Sequence, residues 1–199
     1  EIFQKFWKRQ ANSVLPKIGA KSASWWDADR WNDELAEDIE PLIDEIADAH
    51  GKEIAKALGF DYNAQRTRKY LETLSKGRAK AINDATYRKL MKALEDDDED
   101  DTPSHVFDNR QNKDALTFGR MLALTAAGWA ATHEAPKQAE DAGIHRTVEK
   151  MWITGDNPRP EHAMMNGETV PINQAFSNGC EWPGDEGGDP DTTCGCNCS

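Results

Sequence analysis

No stretch of about 18 consecutive apolar residues occurs in this sequence, which excludes an ordinary membrane-spanning helix. A secretory leader is missing from the first segment, where Ile2, Phe3, Phe6 and Trp7 are interleaved with Lys5, Lys8 and Arg9. Basic residues are in deficit. The 24 Lys and Arg stand against 36 Asp and Glu, and the resulting net charge of -12 makes the chain as a whole a poor ligand for duplex phosphates. No Cys precedes Cys180, and no His-Glu-x-x-His, phosphate-cradling glycine loop or nucleophile elbow is present, so the common hydrolase and nucleotide-binding motifs are absent. Initiator Met is also missing. It is trimmed only before small residues, so a chain starting at Glu1 reads as part of a longer polypeptide.

What is present, over 199 residues, is enough for one domain or two small ones. Charge is distributed in blocks: 31–60 and 151–199 are acidic, 61–94 is basic, and Glu95 to Asp101 is an unbroken acidic run. Adjacent acids repel and bury nothing, so that run is expected to be an exposed loop; a calcium loop would need a turn-forming Gly among its ligands. Arg66, Arg68, Lys69 and Arg78 are the candidate DNA contacts in the basic block. The competing reading is that these cations face acidic neighbours of the same assembly.

Apolar spacing predicts a short helix over 1–15, ended by Pro16 and Gly19, with Lys17 to Ser24 as a linker. A second helix is expected from Asp27 to Gly59, broken or kinked at Pro41, whose ring crowds the carbonyl of Glu37. Helices over 63–74 and 77–94 are expected to be separated by Gly77. From Asp108 to Ala142 the pattern is one long helix, bent in its last turns by Pro136 and with a small-residue apolar middle (Leu122 to Ala131) that wants partners on several sides. Beyond Gly143 the composition changes. Thr147 to Thr154 alternates like a strand, Glu168 to Ile172 is a second, and the rest is rich in turn residues. The fold class is therefore α+β: a mainly helical body with one long helix, followed by a small loop-rich β module. Residues 1–104 form the helical region ending in the acidic loop, and 105–199 the long helix plus the C-terminal module. Trp25, Trp26 and Trp31, where linker meets helix, are expected to make a docking contact.

Chemistry-bearing residues concentrate in the C-terminal module. His162, Cys180, Cys194 and Cys196 are the donor types of a tetrahedral zinc site, which would staple a unit too small to build much core. Their spacing is not a CxxC knuckle, and alternate cysteines in an extended strand point to opposite faces. Reduced thiols or disulfides are therefore favoured, no cofactor is expected, and zinc is the alternative. Asp156, Arg159 and His162 are spaced by three, as on one face of a helical turn. They are expected to form an internal clamp; acid–base chemistry by His162 is the competing reading.

The order Trp152-Ile153-Thr154, Asp156, Arg159-Pro160-Glu161-His162, Asn166-Gly167, Val170-Pro171, Phe176, Trp182-Pro183-Gly184-Asp185 and Cys194-Gly195-Cys196 resembles phage Mu F-like head morphogenesis proteins over roughly 105–198. That family commonly shows Arg-Thr-Glu where this chain has Leu124-Thr125-Ala126, and Cys-Arg-Cys where it has Gly195; Cys198 is extra. The first 60 residues, through Ser24-Trp25-Trp26-Asp27 and the charged helix after it, are similar to the C-terminal region of actinobacterial-phage portal proteins. The resemblance implies a non-enzymatic virion protein, a portal C-terminal region or portal-associated minor head protein, acting in head assembly and DNA packaging or delivery. Implied partners are the portal ring or further copies, capsid or scaffold proteins and packaged DNA, with no membrane. The implied location is the virion, and host cytoplasm during assembly. A zinc-dependent hydrolase or nuclease using His162 and the C-terminal cysteines is the alternative.

Overall fold

The computed structural model describes residues 1–18, 25–95, 102–156, 158–185 and 198. The chain is helix-dominated α+β, as the hydropathy pattern predicts: α1 (Ile2–Val14), α2 (Ala28–Leu58), α3 (Arg68–Glu95), α4 (Pro103–Asn109), α5 (Ala115–Trp129), α6 (Ala135–Asp141), β1 (Glu149–Met151), α7 (Pro160–Met164) and β2 (Thr169–Pro171). Among the described residues no helix is long and apolar enough to cross a membrane.

Local chemistry explains where the helices start and stop. Asp27 caps α2 by accepting from the Arg30 amide at 3.1 Å, and Thr102 caps α4 from the His105 amide at 3.3 Å, with Pro103 next in the first turn. Gly59 (φ +89) and Gly143 (φ +76) take the left-handed conformation that ends α2 and α6, a geometry costly for any residue with a Cβ. Of the kink or break expected at Pro41 the break is absent, and so is the separation expected at Gly77. Pro41 lies inside a continuous α2, and Gly77 lies inside a continuous α3, where the replacement of two expected helices by one is a correction. A single Gly costs about 1 kcal/mol in a helix, far less than the burial of Leu71, Leu74, Ala79 and Ile82 on either side of it contributes. The expected long helix starts earlier, at Pro103, and is interrupted by two π-helical turns, Arg110–Asp114 and Ala130–Glu134. The second comes immediately before Pro136, where the missing N–H would spoil regular α bonding.

The chain divides into two compact units that interleave in sequence. The first comprises 1–41 and 70–119, the second 42–69 and 120–199. Helices pack by face, so distant segments share a core.

In the first unit α1 buries Phe3, Phe6, Trp7, Ala11 and Val14. Phe6 meets Trp31 edge-on at 6.1 Å. The expected tryptophan contact is intramolecular: Trp25 and Trp26 stack against Tyr87 of α3 at 5.6 and 5.5 Å, while Trp31 is core. Buried polar side chains run through this core. Gln10 donates to Asn83 at 3.0 Å, and Asn83 donates to Asn32 at 3.0 Å. The first π turn carries Arg110 inside, over the rings of Trp7 and Phe118 and paired with Asp114 at 2.9 Å. Burial pushes this guanidinium below its ordinary range, only partly opposed by Asp114.

In the second unit the turn 59–67 is pinned to α6. Gln138 accepts from the Asn63 amide (2.7 Å), donates to the Asn63 carbonyl (3.1 Å) and donates to Glu134 (2.9 Å). The C-terminal module completes this unit. β1 and β2 pair antiparallel with Glu149 opposite Pro171, Lys150 opposite Val170 and Met151 opposite Thr169. The expected strands are both present, shortened to three residues each.

Candidate functional site

The module is assembled around Trp152. Its amide donates to the Glu168 carbonyl and its carbonyl accepts from Gly167, each at 2.9 Å, so the hairpin holds the indole on its inner face. There Trp152 meets Phe176 at 5.1 Å and His162 at 5.5 Å, both edge-on. Met165, Cys180 and Cys198 complete the buried cluster.

Loop geometry is set by side chains bonding backbone. Both oxygens of Glu168 accept from Ser177, from its amide and its hydroxyl, at 2.7 Å each. Asp185 accepts from the Glu181 amide at 2.8 Å. Lys150 donates to the Glu181 carbonyl at 2.8 Å while its ammonium sits over the Phe176 ring. Burial lowers the affinity of Lys150 for its proton, with Glu181 and Asp185 acting the other way.

The module is also tied to α5. The Thr125 hydroxyl lies 3.0 Å from the Met121 carbonyl and 3.2 Å from the Gly184 carbonyl. The Trp182 ring lies so close over Gly128 that a Cβ there would collide with it. The Pro183-Gly184-Asp185 motif and the Thr of Leu124-Thr125-Ala126, 59 residues apart, thus form one contact.

Beside this contact lies a cleft of about 530 Å³ lined by Arg120, Ala123, Leu124, Thr154, Gly155, Asp156 and Cys198. Cys198, which lines it, carries its Sγ 3.4 Å from His162 Nδ1, and both residues are only 1% exposed.

The sequence-predicted residues are placed unevenly. Asp156 is exposed on the cleft wall, Arg159 is the half-buried N-cap of α7, and His162 points into the core toward Cys198. Spacing by three aligns side chains only within a helix, and α7 begins at Pro160, after two of the three. Cys180 is buried in the Trp152 cluster; Cys194, Cys196 and Asp96 to Asp101 lie outside the described residues. Among the described residues no group of three or more His, Cys, Asp or Glu stands ready to hold a metal. Of the candidate DNA contacts, Arg66 is engaged by Glu134 at 3.3 Å and Asp141 at 2.8 Å. Arg68 lines an acidic hollow with Asp44, Glu45 and Asp48, where burial raises the Asp44 carboxyl above its ordinary range despite Arg68. Lys69 is exposed and Arg78 half-buried.

Three functional features escaped sequence reasoning: the Cys198 partnership with His162, the Gly128 seat for Trp182, and the Gln138 network. Only the second had a signal, a Gly within the small-residue stretch Leu122 to Ala131. No family model, curated protein or solved structure matches the chain.

Proposed function

We propose that this chain is a non-enzymatic structural protein of a tailed-phage or prophage virion, either the C-terminal region of a portal protein or a portal-associated minor head protein. It acts in head assembly and in DNA packaging or delivery. The observation that carries this reading is the burial of His162, 1% exposed and edge-on to Trp152 inside the module. A general base or an open metal ligand must reach substrate, and this imidazole is enclosed by its own core. Binding of the module to α5 through Thr125, Gly128 and Trp182 suits a rigid knob presented to neighbouring subunits. Its partners are the portal ring or further copies, with capsid or scaffold proteins beside them.

Contact with packaged DNA is weak on this reading. Several cations of the basic block have acidic partners within the chain, Lys76 with Glu72, Lys80 with Asp84 and Lys89 with Asp114, in addition to Arg66. The remaining negative charge keeps such a part from adhering to DNA.

The test is a chain-resolved map of virions that carry the protein, together with His162→Asn. The chain is expected at the portal vertex, and the variant is expected to lower particle yield with no loss of any turnover. A purified chain that cleaves nucleic acid or another substrate, and loses that activity in His162→Asn, overturns the reading.

A further inference from the structure

We propose that Cys198 Sγ and His162 Nδ1 are two ligands of a structural zinc ion that closes the C-terminal module. This does not depend on the virion reading. The argument starts from the separation of the two atoms. Zinc holds thiolate at about 2.3 Å and imidazole at about 2.0–2.1 Å, and the tetrahedral angle then places sulfur and nitrogen about 3.5 Å apart. The observed 3.4 Å is within about 0.2 Å of that edge. At this separation both donors lie within reach of one ion.

The surroundings fit a closed site. Both residues are buried, and the Trp152 ring stands edge-on to the imidazole and limits its rotation. A second thiol, Cys180, lies in the same buried cluster. The cleft lined by Thr154 and Asp156 reaches Cys198 and provides a path for the ion from solvent. The module also needs a staple. Among the described residues its regular structure amounts to two three-residue strands and one five-residue helix around one small buried cluster. The described residues supply two donors, and no third carboxylate, imidazole or thiol among them completes the set. The sequence spacing pointed instead to Cys180, Cys194 and Cys196 with His162. The geometry adds Cys198, the cysteine that the family resemblance left over.

The full chain, purified without chelator, is expected to carry about one zinc by elemental mass spectrometry. Replacement by Co²⁺ is expected to give a thiolate-to-cobalt charge-transfer band. Cys198→Ser should weaken that band, and His162→Gln should weaken metal retention about tenfold or more. Should either variant fail to fold, the unsubstituted chain still decides the matter. A thiol reagent is expected to react with Cys198 about tenfold faster after zinc is removed by chelator. The proposal is overturned by a chain that takes up neither zinc nor cobalt, by a cobalt spectrum unchanged in Cys198→Ser, by a Cys198 rate indifferent to chelator, or by Cys198 found in a disulfide.

Discussion

Two mid-helix glycines have opposite structural meanings. Gly77 lies mid-helix in α3 with open space where a Cβ would go, whereas Gly128 in α5 lies directly beneath the Trp182 ring. Gly77→Ala is expected to stabilise the chain by about 0.5–1 kcal/mol, the conformational cost of glycine in a helix. Gly128→Ala gains the same propensity but must displace a buried indole, so a net loss of about 1–2 kcal/mol is expected. Thermal unfolding monitored by circular dichroism measures both. Equal shifts of one sign would show that Trp182 does not seat on the helix. The neighbours differ, Lys76 and Arg78 against Ala127 and Trp129, but the sign of each change does not follow from them, because steric room is a property of what packs opposite.

At the scale of elements, side-chain bonds to backbone determine how segments join. Gln138 satisfies both the amide and the carbonyl of Asn63. Gln138→Leu keeps the volume but strands those groups, and a destabilisation of about 1–3 kcal/mol is expected. Hydrogen exchange at the Asn63 amide should accelerate selectively; unchanged protection there would count against the clamp. The joint between α1 and α2 is ionic instead. Arg9 bonds Glu34 at 2.8 Å and Asp38 at 2.7 Å, and Arg30 bonds Glu34 at 2.6 Å. Burial alone would raise the Glu34 carboxyl, but the bonds from Arg30 and Arg9 outweigh it and hold it below the ordinary carboxylate range. The sign follows. A lowered folded-state pKa contributes stability above the unfolded-state value and loses it as pH falls through the folded one. Stability should therefore decline on acidification below about pH 4.5, and Glu34→Gln should flatten that decline. Melting temperatures measured from pH 5 to pH 3 check this, and parallel curves would refute it. Asp44 has the opposite sign: its raised pKa makes it a group whose contribution falls as pH rises.

For the whole molecule, the charge blocks matter more than the net charge. Binding to duplex DNA is expected to be weak and to fall steeply with salt, and Arg68→Ala, Lys69→Ala and Arg78→Ala together should abolish what remains. Fluorescence anisotropy at two ionic strengths measures it; tight binding that survives the triple substitution would place the DNA surface elsewhere. At this scale too the interleaved units belong, since 1–41 shares a core with 70–119.

Helix existence, caps and period were legible in the order of residues because they depend on neighbours within a turn. Asp27, Gly59 and Gly143 mark helix ends that are observed, and the alternation around Lys150 marks the hairpin. Continuity across Gly77, the burial of Arg110, and the meeting of Thr125 with Gly184 and of His162 with Cys198 were decided only in three dimensions. Each depends on what a distant segment brings to the same point, and burial, steric room and donor partnership belong to that encounter rather than to either segment alone.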